Sequence, residues 1–169
     1  MTTTLRPRND DAYVASVRRR RIIDGAAEAV TLLGVEGVKV ADLVKFGTCA
    51  RKTFYEDFGG KDQCLREVVE NAADGALAAA AERGLEGLLD FLRGNPSMAR
   101  VLLVEAWAVD GKLGVAFTES LAGLLSSPAG IQEELRAGAV VSLLSRSIRE
   151  RGVEGLPSLE ELEPILETG

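Results

Sequence analysis

Histidine is missing altogether from the 169 residues. Without it no Ser-His-Asp triad, Cys-His pair or HExxH metal site can be assembled. Cysteine is scarce: Cys49 and Cys64 are the two, and their spacing forms no CxxC or other zinc pattern. No apolar run approaches the ~20 residues that span a bilayer. The opening stretch MTTTLRPRNDD lacks the apolar core of a secretory signal. Proline is limited to five residues, most of them where a helix would start or stop. No glycine-rich phosphate loop, internal repeat or low-complexity tract is present. Catalysis, membrane insertion and disorder are all disfavoured. A cytoplasmic, all-α protein that is not an enzyme and holds no metal or other cofactor is expected.

Positive charge is also in deficit, with a net charge of -6, but it is unevenly spread. Residues 1–60 carry 10 Lys+Arg against 8 Asp+Glu, whereas residues 61–169 carry 10 against 18. A basic end on an acidic body is the footprint of a localised phosphate-binding face. The run Arg18-Arg19-Arg20-Arg21 concentrates that charge, although such a run also suits a merely solvated helix face.

Apolar residues make up 46% of the chain and recur with helical period. A first helix is expected from Asp10 or Ser16 to Leu33, with Ile22, Ile23, Ala26, Val30 and Leu33 as its stripe and Gly34 and Gly37 as its stop. Short helices follow from Lys39 to Lys45 and from Cys49 to Tyr55, joined by the turn Gly47-Thr48 and closed by Gly59-Gly60. A long fourth helix covers Lys61 to Arg83 and a fifth Leu85 to Arg93. Asn95-Pro96 reads as an N-cap followed by proline in the first turn of a sixth helix, which reaches Val109 and is apolar enough to be central. A seventh runs from Lys112 to Leu125. An eighth, capped by Ser127-Pro128, extends to Arg151. Ser158 to Glu161 forms a capping box for a ninth helix, which Pro164 should kink or end. The sequence divides functionally near residue 60, into 1–60 and 61–169.

Two short helices joined by a glycine-containing turn, after a longer one, are the layout of a helix-turn-helix. A recognition helix has to be narrow, cationic at its exposed end and anchored by buried apolar groups. Arg51 and Lys52 supply the cations, Phe54 and Phe58 the anchor, and Tyr55 an outward hydroxyl for a phosphate. Lys61 lies at a helix N-terminus, where backbone N–H groups also favour phosphate.

The stretch RRRIIDGAAEAVTLLGVEGVKVADLVKFGTCARKTFYEDFGGKDQCLREVVE resembles the DNA-binding domain of the tetracycline-repressor (TetR) family over residues 18 to about 70. The shared features are the arginine-led first helix, Leu33-Gly34, Val40-Ala41-Asp42-Leu43, Thr53-Phe54-Tyr55-Glu56-Asp57-Phe58 and Lys61. The resemblance implies a nine-helix fold with a C-terminal ligand-binding and dimerisation domain. It implies phosphate contact by Lys39, base-edge and backbone contact by Thr48, Arg51, Lys52 and Thr53, and a phosphate clamp from Tyr55 and Lys61. There are departures. Thr48-Cys49-Ala50 stands where the family usually has Gly-Val-Ser, the glycine falls one place early at Gly47, and Asp57 replaces a frequent histidine. With Glu56, Asp57 sets negative charge near the phosphates.

The C-terminal half resembles the family loosely, through PSMARVLLVEAWA. Phe91, Met98, Leu102, Trp107 and Phe117 are candidates for a ligand cavity and Glu105 for its polar handle; each also fits ordinary core or, for Glu105, a salt bridge. Gly138, Ser142 and Ser145 form a small-residue face suited to a second subunit, with Leu159, Leu162 and Leu166 beside it, or to a neighbouring helix of the same chain. The two cysteines fit small buried hydrophobes better than a redox switch. The resulting expectation is a homodimeric repressor released from a palindromic double-stranded DNA operator by a small apolar effector. The residues alone leave repressor and activator open. The alternative is a helical carrier or interaction protein that kept the fold and lost DNA binding.

Overall fold

The computed structural model describes the backbone of residues 8–125 and 130–167, and side chains over 12–125 and 130–165. Every regular element among the described residues is helical. Helix α1 (Arg8–Gly37) leaves helical geometry at Gly34, whose φ of 72° only glycine adopts easily. Ile22, Ile23, Ala26 and Val30 are buried as the periodicity requires, whereas Leu33 lies on the exposed side with Leu32.

Helices α2 (Val40–Phe46) and α3 (Arg51–Phe58) follow. The third helix begins and ends later than the sequence suggests. The N–H groups of Thr48 and Cys49 are taken by the Lys45 and Val44 carbonyls. Cys49 and Ala50 therefore stay outside α3, and Gly59, at φ 70°, provides the exit.

Helix α4 (Lys61–Gly94) joins two predicted helices across a kink at Arg83 and Gly84. The turn is tight: a Cβ on Gly87 would fall 2.0 Å from the Ala79 carbonyl oxygen. An Arg83–Asp90 ion pair spans it. Asn95 donates its side-chain N–H back to the Phe91 carbonyl, 2.8 Å away. It thus serves the end of α4 and gives no side-chain cap to the next helix, contrary to expectation.

The predicted sixth helix is α5 (Pro96–Arg100), a π-helical turn (Val101–Glu105) and α6 (Ala106–Val109) in series. Val101, Leu102, Leu103 and Ala106 are buried, but Trp107 emerges at the surface. Helices α7 (Gly111–Leu125) and α8 (Ile131–Arg151) pack together, and α9 (Leu159–Glu167) closes on α8 and α4. The expected Ser127-Pro128 cap lies outside the described residues. At the described start of α8, Glu133 accepts from the Gly130 N–H at 3.0 Å. The capping box of α9 forms in both directions: Ser158 N–H donates to Glu161 at 2.8 Å, and Glu161 N–H to the Ser158 hydroxyl at 3.3 Å. Helix α9 runs on through Pro164 rather than ending there.

One continuous core runs through the chain, because α1 packs on α2, α4 and α5 at once. No helix among the described residues is long and apolar enough to cross a membrane.

Candidate nucleic-acid interface

Helix α3 has an inner and an outer side. Phe54 and Phe58 are both buried, with ring centroids 5.5 Å apart. On the outer side Arg51, Lys52 and Tyr55 are exposed, and the Arg51 guanidinium sits 5.8 Å from the Tyr55 ring centroid. Thr53 is half-buried, Lys39 is exposed at the N-cap of α2, and Lys61 is half-buried in the first turn of α4. The side chains of Lys39, Arg51, Lys52, Thr53, Tyr55 and Lys61 thus come from three elements of one folded unit.

Thr48 occupies the turn between α2 and α3 with φ 49°, a left-handed conformation costing roughly 1–2 kcal/mol in a non-glycine residue. The glycine one place earlier has another role. Gly47 is right-handed, with φ -72°, but a Cβ there would lie 3.1 Å from the Ile22 Cα. Gly25 faces it from α1, where a Cβ would meet the Phe46 carbonyl oxygen at 2.4 Å. The pair lets α1 and α2 touch backbone to backbone. Gly47 is therefore kept for space, and the turn strain passes to Thr48.

The arginine run is mostly a brace. Arg18 forms a two-pronged pair with Asp57 at 2.9 and 3.0 Å, which raises its pKa above the ordinary arginine value. Arg19 bonds Glu67 at 2.6 Å and the Asp57 carbonyl at 2.7 Å, and lies 4.5 Å over the Phe58 ring. Arg20 pairs with Asp24 at 3.1 Å, and Arg21 donates to the Thr48 carbonyl at 3.1 Å. Asp57 is thus neutralised from behind, and Glu56 faces Lys52 at 3.6 Å. The negative charge of Glu56 and Asp57 thus has partners on the same unit. The structural roles of Arg18, Arg19, Glu67 and Gly25 are not legible in the sequence because their partners lie 20 to 50 residues away.

Neither thiol is activated. Burial raises both, and Cys64 is pushed up to about 12 by desolvation and by Glu67.

The sequence matches no family model and no curated protein. Solved structures match over nearly the whole chain. The TetR-family transcriptional regulator PfmR from Thermus thermophilus is 22% identical, with a TM-score of 0.62 over 86% of this chain and 97% of that one. A TetR-family regulator from Streptomyces coelicolor is 20% identical, at TM-score 0.54 over 90% and 94%. A putative TetR-family regulator from Mesorhizobium loti is 18% identical, at 0.50 over 89% and 92%.

The fold is that of the TetR-family regulators. In this TetR fold the residues predicted to bind ligand are dispersed. Met98, Leu102 and Phe117 are buried and Phe91 is half-buried, its ring against Gly75. Met98 borders a cleft of about 210 Å³ beside α1, and Phe117 one of about 170 Å³ between α4 and α7. Glu105 is half-buried and pairs with Arg100 at 3.6 Å. A groove of about 610 Å³ lies between the α6 region, α7 and α8. Of the ligand candidates Trp107 alone lines it, together with Gly138, Ser142 and Ser145 from the face assigned to a second subunit. The Ser145 hydroxyl is already committed within the chain, donating at 2.7 Å to the Leu103 carbonyl in the π-helical turn. Leu162 is fully buried in its own subunit and Leu159 half-buried, while the side chain of Leu166 lies outside the described residues.

Proposed function

We propose that this chain is a ligand-responsive, sequence-specific DNA-binding regulator acting as a repressor in the cytoplasm. One observation carries the reading. Helix α3 is held from behind by Phe54, Phe58 and the Arg18 and Arg19 braces, while Arg51, Lys52 and Tyr55 face outward. A narrow helix with cations at its exposed N-terminal end, on a rigid support, can enter a major groove about 12 Å wide. On this reading Arg51 meets base edges with Thr48 and Thr53 near it, Lys52 reaches guanine or phosphate, and Lys39, Tyr55 and Lys61 hold the backbone.

Residues 1–60 form the DNA-binding part and 61–169 the part that binds effector and dimerises. A homodimer through α8 and α9 sets two α3 helices about 34 Å apart on a palindromic operator. A small, largely apolar effector stabilises a state with the wrong separation, and operator affinity falls by its preference for that state. Arg66, near the start of α4, is bonded to Asp110 at the α6–α7 junction, so the helix that leads out of the DNA-binding part is tied to the body of residues 61–169. The carrier alternative draws on Glu56 and Asp57, and the pairing of both with Lys52 and Arg18 weakens its motive.

The test is selection of bound duplexes from a random DNA pool, then a salt series on operator and random DNA. Lys61→Ala should weaken both and lower the salt slope by about one unit. Arg51→Ala should cost about 1–3 kcal/mol on operator and little on random DNA. Equal weakening of both duplexes by Arg51→Ala would remove that residue from base reading. Failure to bind any duplex would leave the carrier reading.

A further inference from the structure

The central helix changes register part-way along. Between α5 and α6, Val101–Glu105 form a π turn, which holds one residue more than an α turn. Arg100 and Glu105 depend on it. Their side chains pair at 3.6 Å although they stand five positions apart in the chain. An α register would set them about 140° apart around the helix, whereas the i→i+5 bonding of a π turn stacks one over the other. The ion pair is therefore a mark of the π register. That register also has a cost. The Arg100 Nε is buried with no hydrogen-bond partner among the described residues, and the contact with Glu105 is too long to be a hydrogen bond. A bond from outside offsets the cost: Ser145 of α8 donates to the Leu103 carbonyl inside the turn at 2.7 Å.

Loss of the extra residue turns everything beyond it by one position, about 100° and 1.5 Å. The two sides of the turn resist this unequally. Upstream, Met98, Ala99, Val101, Leu102 and Leu103 are buried and hold the helix in the core. Downstream, only Ala106 of the four residues of α6 is buried. The downstream side is the one free to turn, and it ends on Asp110. That carboxylate accepts from the Lys112 N–H at 3.0 Å, at the start of α7, and from Arg66 of α4. Arg66 lies five residues past Lys61 and next to Glu67, the partner of Arg19. A shift at Asp110 is therefore felt in the turns of α4 that carry Lys61 and the brace to α1.

We propose that Val101–Glu105 is a two-state hinge: the π register holds Arg66 through Asp110, an α register releases it, and Ser145 biases the choice. The exchange itself stands apart from any function. Its consequence for DNA rests on the regulator reading above and gives that reading its moving part, because one turn of helix then joins α8 to the start of α4.

The experiment is amide-nitrogen relaxation dispersion on the full chain without DNA. Residues 102–106 and 63–67 should exchange at one shared rate, with a minor state of ~0.1–10%. Glu105→Gln removes the charged partner of Arg100, and Ser145→Ala frees the Leu103 carbonyl. Each should raise the minor population roughly three- to tenfold. Arg66→Gln should silence residues 63–67 and leave 102–106 exchanging. Deleting Val104 shortens the turn to an α register with α6 left in place, so exchange should vanish from both segments. Absence of exchange in wild type and in both substituted proteins, unrelated rates at the two segments, or exchange surviving the deletion in a folded protein would overturn the proposal. Circular dichroism reports folding; if the deletion does not fold, populations indifferent to both Glu105→Gln and Ser145→Ala overturn it instead. Coupling is reciprocal, so a duplex selected from the random pool should suppress the exchange at 102–106. Unchanged exchange on bound duplex would sever the hinge from DNA, and failure to bind any duplex would remove the regulator reading. In both cases the hinge is judged on the DNA-free result alone.

Discussion

The substitution Gly25→Ala places a methyl carbon 2.4 Å from the Phe46 carbonyl oxygen and 2.7 Å from the Gly47 nitrogen. Both are backbone atoms, so no side chain can swing aside. An ordinary contact begins near 3.4 Å, so α1 and α2 must separate by about 1 Å at their crossing. Overpacking of this kind costs roughly 1–3 kcal/mol, and backbone against backbone belongs at the upper end. Alanine returns about 1 kcal/mol of helix propensity. The net is roughly 2 kcal/mol of destabilisation. For a chain of this length that corresponds to a fall in Tm of roughly 4–8 °C. Gly123→Ala is the matched control, because a Cβ at Gly123 in α7 meets nothing within 4 Å among the described residues. It should raise Tm by roughly 2–4 °C through propensity alone. Thermal unfolding of both variants beside wild type measures the contrast. On the proposed function, Gly25→Ala should also lower DNA affinity, because α3 follows α2 directly, and Gly123→Ala should not. A Gly25→Ala protein as stable as wild type would refute the close-packing argument.

Three further outcomes are expected. Glu67→Gln leaves the Arg19 guanidinium without its charged partner; with Arg19 39% exposed, the loss should be about 1 kcal/mol by urea unfolding, and no loss would mean that solvent replaces the bond fully. Bonding from the Lys112 N–H, then from Arg66, lowers the Asp110 pKa below 3.8, so its stabilisation is full above that value and is lost as pH falls through the folded pKa. Asp110→Asn should therefore lower Tm at neutral pH, with the gap to wild type closing in acid; a gap independent of pH contradicts this. With a pKa of about 12, the Cys64 thiol is ionised to only ~1 part in 10⁴ at pH 8, so a thiol reagent should label it only on unfolding, and rapid native labelling would argue against its burial.

Periodicity and punctuation were enough to read the helices. Gly34, Gly59 and Gly84 end or kink them where a positive φ is needed, and Ser158 with Glu161 caps α9, because such signals act within a few residues. The buried and exposed sides of α3 follow from Phe54 and Phe58 four residues apart. Where two signals competed, only the folded chain decided. Asn95 turned back to the Phe91 carbonyl and left the next helix without a side-chain cap. Long-range pairing was equally hidden. Arg18 and Asp57 are 39 residues apart, and nothing local tells that a charge run braces α3 instead of meeting phosphate. Gly25 reads as a weak point in a helix until α2 is laid across it. Gly138 and Ser142 read as a face for another helix, and the tertiary structure set them beside Trp107 in a groove. Sequence alone determined the elements, their order and the basic end of the chain, because these depend on neighbours along the backbone. Tertiary structure decided which charges are free and where space remains, because both depend on residues that meet only when the helices pack.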